Sequence, residues 1–549
     1  MQKTTDVMTI QDKPMESLSL IRFGLGSRFY EILGKFKDNI YQVCTLTGRT
    51  ESCGTIRAKA VQLCLALKRM GVPQDGIIVI SSRPHAEETI VVLACLFLSI
   101  TLAPIDFLFG CCEWMDLMNK LKPALMFCDP DVVEHVKGSL HTKTLKKKVI
   151  VFGDKQYYET INFSSLLTFR APFKEDPYFS PKIVDPVNTV AFIVPTMGIT
   201  SPIQLICLSH LNMMARIVQF LHICEVSRRI MSYYYLPFGL QLMSVCAGFE
   251  CKFTRILIGE FSVIQCLKLI QNFRVDTLIL HTKDVKQIFC STELEQYNLT
   301  SLKNVIFRFS YTQADTVAYY YETFPDIHFI QTYSHRQTGI IASTPIDEYD
   351  EARKRPDACG KMPYFSRVKI MDKEFKSTLP KTKIGNIVLK SDSVMMGYYG
   401  SANRDFMVGR YYKTSDVGRF EANEWFYCSG REEDVILESE VPYKFFSTWE
   451  VESVVKQHPA VQQAVVLHSN LLLVCCYQVK PNETLTARVL KKFVNFRLLG
   501  LKRPKKYIQF DSFPRNPYGD VKRYLVREKV FSGRQSESRP SSARRVTIK

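Results

Sequence analysis

The chain has 549 residues, 46% of them hydrophobic and 23% charged, a composition that packs a large core and excludes a collagen-like, disulfide-stapled or wholly disordered polymer. Its formal charge of +18 is unevenly placed, with 22 basic and 12 acidic residues in 431–549, densest at 501–506 and in the tail from 532. Such a field attracts polyanions in general, but no helix-turn-helix, zinc-finger or RRM pattern accompanies it, so a nucleic-acid partner is not expected.

The start, Met1-Gln2-Lys3-Thr4-Thr5-Asp6, has neither the basic and apolar regions of a secretory signal nor an Arg/Ser-rich transit pattern, and a cytoplasmic protein is expected. An amphipathic stretch over 55–70 predicts a helix, and 77–80 a buried strand. The apolar run 90–103 stops at Pro104 and Asp106, too short for a membrane span, and reads as a buried helix running into a buried strand. Further strands are predicted at 149–152, 189–194, 277–280 and 304–307, with helices over 212–221 and 263–273. This alternation implies a layered α/β domain extending to about residue 430, followed by a smaller α+β unit. The seventeen cysteines include adjacent pairs, Cys111-Cys112 and Cys475-Cys476, but no CxxC. Zinc sites and disulfide frameworks need spacings absent here, so reduced, buried thiols are expected and no metal ligand is assigned.

Landmarks recur through the chain: residues 41–48, Ala103-Pro104-Ile105-Asp106, Leu236-Pro237-Phe238, Gln331-Thr332-Tyr333, Gly385-Asn386-Ile387, Met396-Gly397-Tyr398-Tyr399, the run 413–418, Gly430-Arg431 and the run 513–519. In order and spacing they resemble the adenylate-forming superfamily of acyl-CoA synthetases, coumarate ligases and luciferases, over roughly residues 38–529. The resemblance implies an α/β fold with a large multi-sheet AMP-binding domain over 17–429 and a smaller mobile α+β C-terminal domain over 430–530. An N-terminal extension (1–16) and a basic disordered tail (531–549) flank them. It also implies a reaction in which ATP and a carboxylic acid give an acyl-adenylate, which passes its acyl group to coenzyme A, with magnesium as the metal.

Several positions depart from that pattern. The family's phosphate loop, rich in Ser, Thr and Gly and ending Pro-Lys-Gly, has its counterpart at residues 195–205, where Gly198 and Thr200 keep the expected character. Gln204 stands for the lysine, while Ser201 and Leu205 stand for glycines, which predicts strain if those positions need positive φ. In Tyr333-Ser334-His335-Arg336-Gln337, Tyr333 is expected to stack on adenine, Arg336 replaces a threonine, and Gln337 replaces the metal-holding glutamate. The adenine platform corresponds to 311–314. Asp520 takes the place of the small domain's lysine, with Lys522 two residues on as a candidate rescue.

Asp416 and Arg431 match the ribose-binding acid and its arginine, with a structural ion pair as the alternative, and Gly430 is the expected hinge. Residues 432–447 replace the Lys-Gly turn used with coenzyme A. Gly239-Leu240 follow Leu236-Pro237-Phe238 where many relatives carry a histidine, making that wall more apolar. The expected protein is therefore acyl-CoA synthetase-like with impaired adenylation, binding a nucleotide or an apolar acyl ligand. The alternatives are an active divergent acid-CoA ligase and a non-catalytic interaction protein using the basic C-terminal part. Peroxisomal placement is the family's alternative, without a matching signal in Val546-Thr547-Ile548-Lys549.

Overall fold

The structure, a computed structural model, describes residues 8–9, 21–138, 148–155, 157–167, 178–224, 227–251, 253–309, 314–363, 366–437, 445–469 and 472–531. They fall into two compact units, one of the described residues up to 196 together with 204–447, the other of 197–203 together with those from 448.

Local sequence explains the first unit's elements. Helix Cys53–Arg69 starts at Ser52, whose hydroxyl accepts from Thr55 N at 3.2 Å and satisfies one of the donors left open at a helix start. The run 90–103 resolves as expected into helix Ala86–Leu98 and strand Thr101–Pro104. Every side chain of that helix from Glu88 onward is buried. Ser99, left-handed at φ 52°, ends the helix. Full burial of each large aliphatic or aromatic side chain is worth about 1.5–3 kcal/mol, which is why so apolar a segment lies inside the fold.

Two eight-stranded sheets carry this unit. In one, Ile77–Ser81 lies centrally between Thr101–Pro104 and Leu125–Cys128, all parallel. The far edge of that sheet holds the antiparallel pair Val190–Pro195 and Leu205–Ser209, with Gly397–Tyr398 outermost. The other sheet has parallel central strands Arg229–Ser232, Thr277–Leu280, Asn304–Arg308 and His328–His335, closed at one end by the hairpin to Gly339–Ser343. These central strands are apolar and buried along most of their length, as covered parallel sheets require. A third, antiparallel sheet includes Gly385–Lys390, Tyr411–Phe420 and Phe426–Arg431. Its edge strand is Met8–Thr9, paired with Val368 and Arg367, so part of the segment expected as an extension joins this sheet.

The second unit is the expected α+β arrangement. Strands Val461–Ser469, Leu472–Val479 and Lys506–Gln509 form a sheet, packed by helices Thr448–Lys456 and Ala487–Arg497. Helix Arg523–Phe531 carries ordered structure one residue past the expected limit at 530, and the rest of the basic tail lies outside the described residues.

Candidate functional site

Strands Tyr411–Phe420 and Phe426–Arg431 run antiparallel with Asp416 directly opposite Arg431, so the pair expected from sequence is brought together by backbone register. Arg431 Nε lies 3.2 Å from Asp416 Oδ1, and Arg431 Nη1 donates to Thr414 O at 3.2 Å. The other carboxylate oxygen is shared: Tyr333 Oη donates to Asp416 Oδ2 at 2.5 Å, and His335 Nε2 lies 2.8 Å from the same atom. Burial alone would raise the Asp416 carboxyl, but the Arg431 guanidinium and the His335 and Tyr333 contacts outweigh it and hold it at about 2. Burial pulls His335 below the usual imidazole range despite the adjacent carboxylate, so a neutral ring donates through Nε2. Burial also pushes Tyr333 up, and the Asp416 charge adds to it, keeping the hydroxyl a donor.

Tyr333 and His335 alternate along strand His328–His335, which places both on one face. His335 is the member of this cluster that sequence reasoning missed. Tyr333, expected against adenine, packs its ring on Phe426 (centroids 5.6 Å) while its hydroxyl is held by Asp416.

Residues 336–338 form the turn into strand Gly339–Ser343, where Gly339 adopts φ 74° with Gln219 and Arg216 where a Cβ would sit. Arg336 donates to Pro195 O and its guanidinium lies 5.1 Å from the centre of the Phe238 ring. Burial lowers it to about 10, partly offset by Asp106, so it stays cationic at neutral pH. Asp106 accepts from Leu108 N at 2.9 Å through Oδ1, whereas its buried Oδ2 has no hydrogen-bond partner among the described residues. Burial raises Asp106 to about 6, with Leu108 N and Arg336 opposing. Gln337 Nε2 donates to Tyr398 Oη at 3.4 Å.

Phe238 precedes helix Gly239–Glu250, in which Leu240 is buried, and it packs on an imidazole the landmark did not reveal. His281 lies 4.0 Å from the Tyr234 ring and 5.2 Å from Phe238, and burial lowers it to about 4.

In the phosphate-loop counterpart, Gln204 is exposed and continues a hairpin: its N–H donates to Thr196 Oγ1 at 2.9 Å, and Thr196 N donates to Gln204 O at 2.8 Å. Gly198 keeps a left-handed φ of 65°, and a Cβ there would meet Ile203 Cγ1 at 3.0 Å. The strain expected at Ser201 and Leu205 does not arise, since neither has positive φ; Leu205 opens the strand paired with Pro195 instead. Gly198 and half-buried Thr200 group with the second unit, whereas Thr196 and Gln204 group with the first.

Asp520 is exposed and closes a turn in the second unit: Asn516 Oδ1 accepts from Tyr518 N at 3.0 Å and Asp520 N at 2.9 Å, and Asn516 Nδ2 donates to Asp520 Oδ2 at 3.3 Å. Val521, between Asp520 and Lys522, bridges to Arg515. Gly430, the expected hinge, lies within strand Phe426–Arg431 at φ 130°, and the division between units comes at Ser447 and Thr448. Residues 311–313 of the adenine platform and 438–444 of the altered turn lie outside the described residues.

At the position where the resemblance puts the magnesium-holding glutamate stands the neutral Gln337 amide, which brings no charge to a metal. The Asp416 carboxylate has about four lone-pair directions, three of them taken by Tyr333, His335 and Arg431.

Residues 32–399 match the family described as AMP-binding enzyme. 4-Coumarate–CoA ligase 2 of Petroselinum crispum is 20% identical over 524 residues, covering 92% of this chain and 93% of that protein. Luciferin 4-monooxygenase of Photinus pyralis is 22% identical over 503 residues, 87% and 88% of the two chains. Among solved structures, the anthranilate CoA ligase AuaEII in complex with anthranoyl-AMP superposes with a TM-score of 0.76 at 18% identity, covering 94% of this chain and 99% of that one. ATP-bound MatB from Rhodopseudomonas palustris gives 0.75 at 18% identity, over 92% and 98%.

Proposed function

From the premise that this chain belongs to the AMP-binding enzyme family, we propose that it is an acyl-CoA synthetase-like protein whose adenylation step is impaired and which keeps a nucleotide or apolar acyl ligand. The observation that carries this reading is Gln337, a neutral amide turned to the Tyr398 hydroxyl where the resemblance puts the metal-holding acid. Gln204 and Asp520 add to it, replacing two cations by an amide and an anion. Charge building on a transferring phosphoryl group needs pre-organised donors, and losing one costs about 2.7–4 kcal/mol, two to three orders of magnitude in rate.

ATP, magnesium and coenzyme A are the family's cofactors, and the relatives named above act as CoA ligases and luciferases. The test is pyrophosphate exchange or hydroxamate formation over a panel of fatty and aromatic acids, run beside thermal shift with ATP, AMP and long-chain acyl-CoA. Exchange rates orders of magnitude below an ordinary ligase, with a clear shift by AMP or acyl-CoA, are expected. Exchange at ordinary rates overturns the reading.

Arg336 favours a second reading, an active divergent acid-CoA ligase. It is a half-buried cation at the turn where the family has a threonine, and it offers a guanidinium in place of the missing ammonium. Under that reading Arg336→Met abolishes exchange that the wild type supports. Localisation is proposed as cytoplasmic, with the peroxisome as the family's alternative; no helix among the described residues is long and apolar enough to cross a membrane.

A further inference from the structure

We propose that the second unit carries a docking surface for anionic membranes, formed by the outer face of helix Ala487–Arg497 and the turn that follows it. This surface belongs to that unit alone and does not depend on whether adenylation is impaired.

The helix starts at Thr486, whose hydroxyl accepts from Val489 N at 3.4 Å, and it turns Leu490 and Val494 inward onto the sheet. Helical spacing then sets Arg488, Val489, Lys492 and Phe496 on the opposite side. Their apolar members are bare: Val489 is 51% exposed and Phe496 85%, and in the next turn Leu499 is 77% and Leu501 43% exposed. Single exposed apolar residues need no explanation, but four within thirteen positions of one helix and its adjoining turn form a patch.

The rim is cationic. Residues 481–510 hold eight Lys and Arg against one acid, Glu483. Some of that charge is committed to the fold: Lys502 pairs with Glu450 at 2.7 Å, Arg503 donates to Leu498 O and Asn495 O, and Arg497 lies 3.7 Å over the Phe493 ring. Arg488, Lys491, Lys492, Lys505 and Lys506 are exposed, and Arg488 and Lys492 share the helix face of Val489 and Phe496.

This combination fits a lipid interface. Phe496 on the outer helix face and Leu499 just after the helix are bare, so they gain burial from a medium that yields around them, while the basic side chains meet anionic headgroups. RNA would answer the charge but leave Val489, Leu499 and Leu501 in water. A nucleic-acid stacking platform needs a row of exposed rings, whereas Phe493 is half-buried beneath Arg497 and leaves Phe496 to serve alone on this face.

The test is sedimentation of the full chain with phosphatidylcholine vesicles, with and without about one-third phosphatidylserine, at low and high salt. Binding to the anionic vesicles, weakened by salt and weak on neutral ones, is expected. The paired variants Lys491→Glu/Lys492→Glu and Phe496→Ser/Leu499→Ser change exposed side chains; thermal unfolding verifies that both fold. Each is expected to weaken partitioning by about tenfold or more. A Phe496→Trp probe should shift its emission to the blue on anionic vesicles. The proposal is overturned if the serine pair binds like the wild type, if an RNA oligomer binds equally well to the serine pair and displaces the vesicles, or if removal of 532–549 alone abolishes vesicle binding.

Discussion

Asp416 is the most heavily contacted acid of the candidate site, and its surroundings determine what its loss should do. Its side chain is 5% exposed and faces Arg431, His335 and Tyr333. Asp416→Asn removes the anion and leaves Arg431 without its counter-charge, so a loss of about 3 kcal/mol is expected in chemical denaturation. The folded carboxyl titrates at about 2, below its ordinary 3.8, so its stabilisation is complete above pH 4 and disappears as pH falls through about 2; the Asn variant should lack that acid-side slope. Glu88 has the opposite sign. It is fully buried, Ser82 donates to its Oε2 at 3.2 Å, and Oε1 has no partner among the described residues. Burial raises it from 4.5 to about 8, with Arg255 and Ser82 opposing. The folded state therefore keeps a proton that the unfolded chain releases, and stability declines as pH rises from about 4.5 to 8, then levels off. Glu88→Gln should match the wild type near pH 4.5 and be more stable at pH 8 by a few kcal/mol, because each tenfold difference in proton affinity between the folded and unfolded chains is worth about 1.4 kcal/mol. Thermal unfolding across that pH range reads the difference.

Among elements, helix His210–Ile223 starts through ordinary capping. Ser209 Oγ accepts from Asn212 N at 3.1 Å while Asn212 Oδ1 accepts from Ser209 N at 3.0 Å, a reciprocal box at the helix start. The same helix is tied to a neighbouring loop by Asn212 to Asp392 O, Arg216 to Ser393 O and Gln219 to Ser393 Oγ. Ser209→Ala should cost about 1 kcal/mol in denaturation, with an unchanged denaturant slope because the fold survives. This helix was legible from its apolar spacing, and the helix-to-strand passage in 90–103 from its short length and its stop at Pro104 and Asp106. The strand Met8–Thr9 was not legible: two residues carry no period, and their partner lies at Val368. His335 escaped for a similar reason, since its role depends on strand Tyr411–Phe420 reaching it across the fold, and nothing in its local spacing signals an acid nearby. Leu205 ran the other way, because a family pattern implied strain that the hairpin pairing with Pro195 removes.

For the whole molecule, family membership and the two-unit α/β plan follow from motif order over most of the chain, whereas activity depends on a handful of side chains. That separation can be tested by restoring the side chains and leaving the fold alone. Gln204 is exposed in a hairpin, Asp520 is exposed at the end of a turn, and Gln337 is held by one long hydrogen bond, so none of the three supports a core. Gln204→Lys, Gln337→Glu and Asp520→Lys should each unfold within about 0.5–1 kcal/mol of the wild type, as substitutions away from cores usually do. Their effect on pyrophosphate exchange should be far from additive. Under the proposed reading, residues that stabilise one developing charge act together, so each single substitution leaves the other two replacements in place and should change the rate little. The triple substitution should raise exchange by at least two orders of magnitude, the scale of one recovered pre-organised donor. A triple variant that folds, is stabilised by AMP and still exchanges no faster than the wild type would place the defect outside these three side chains.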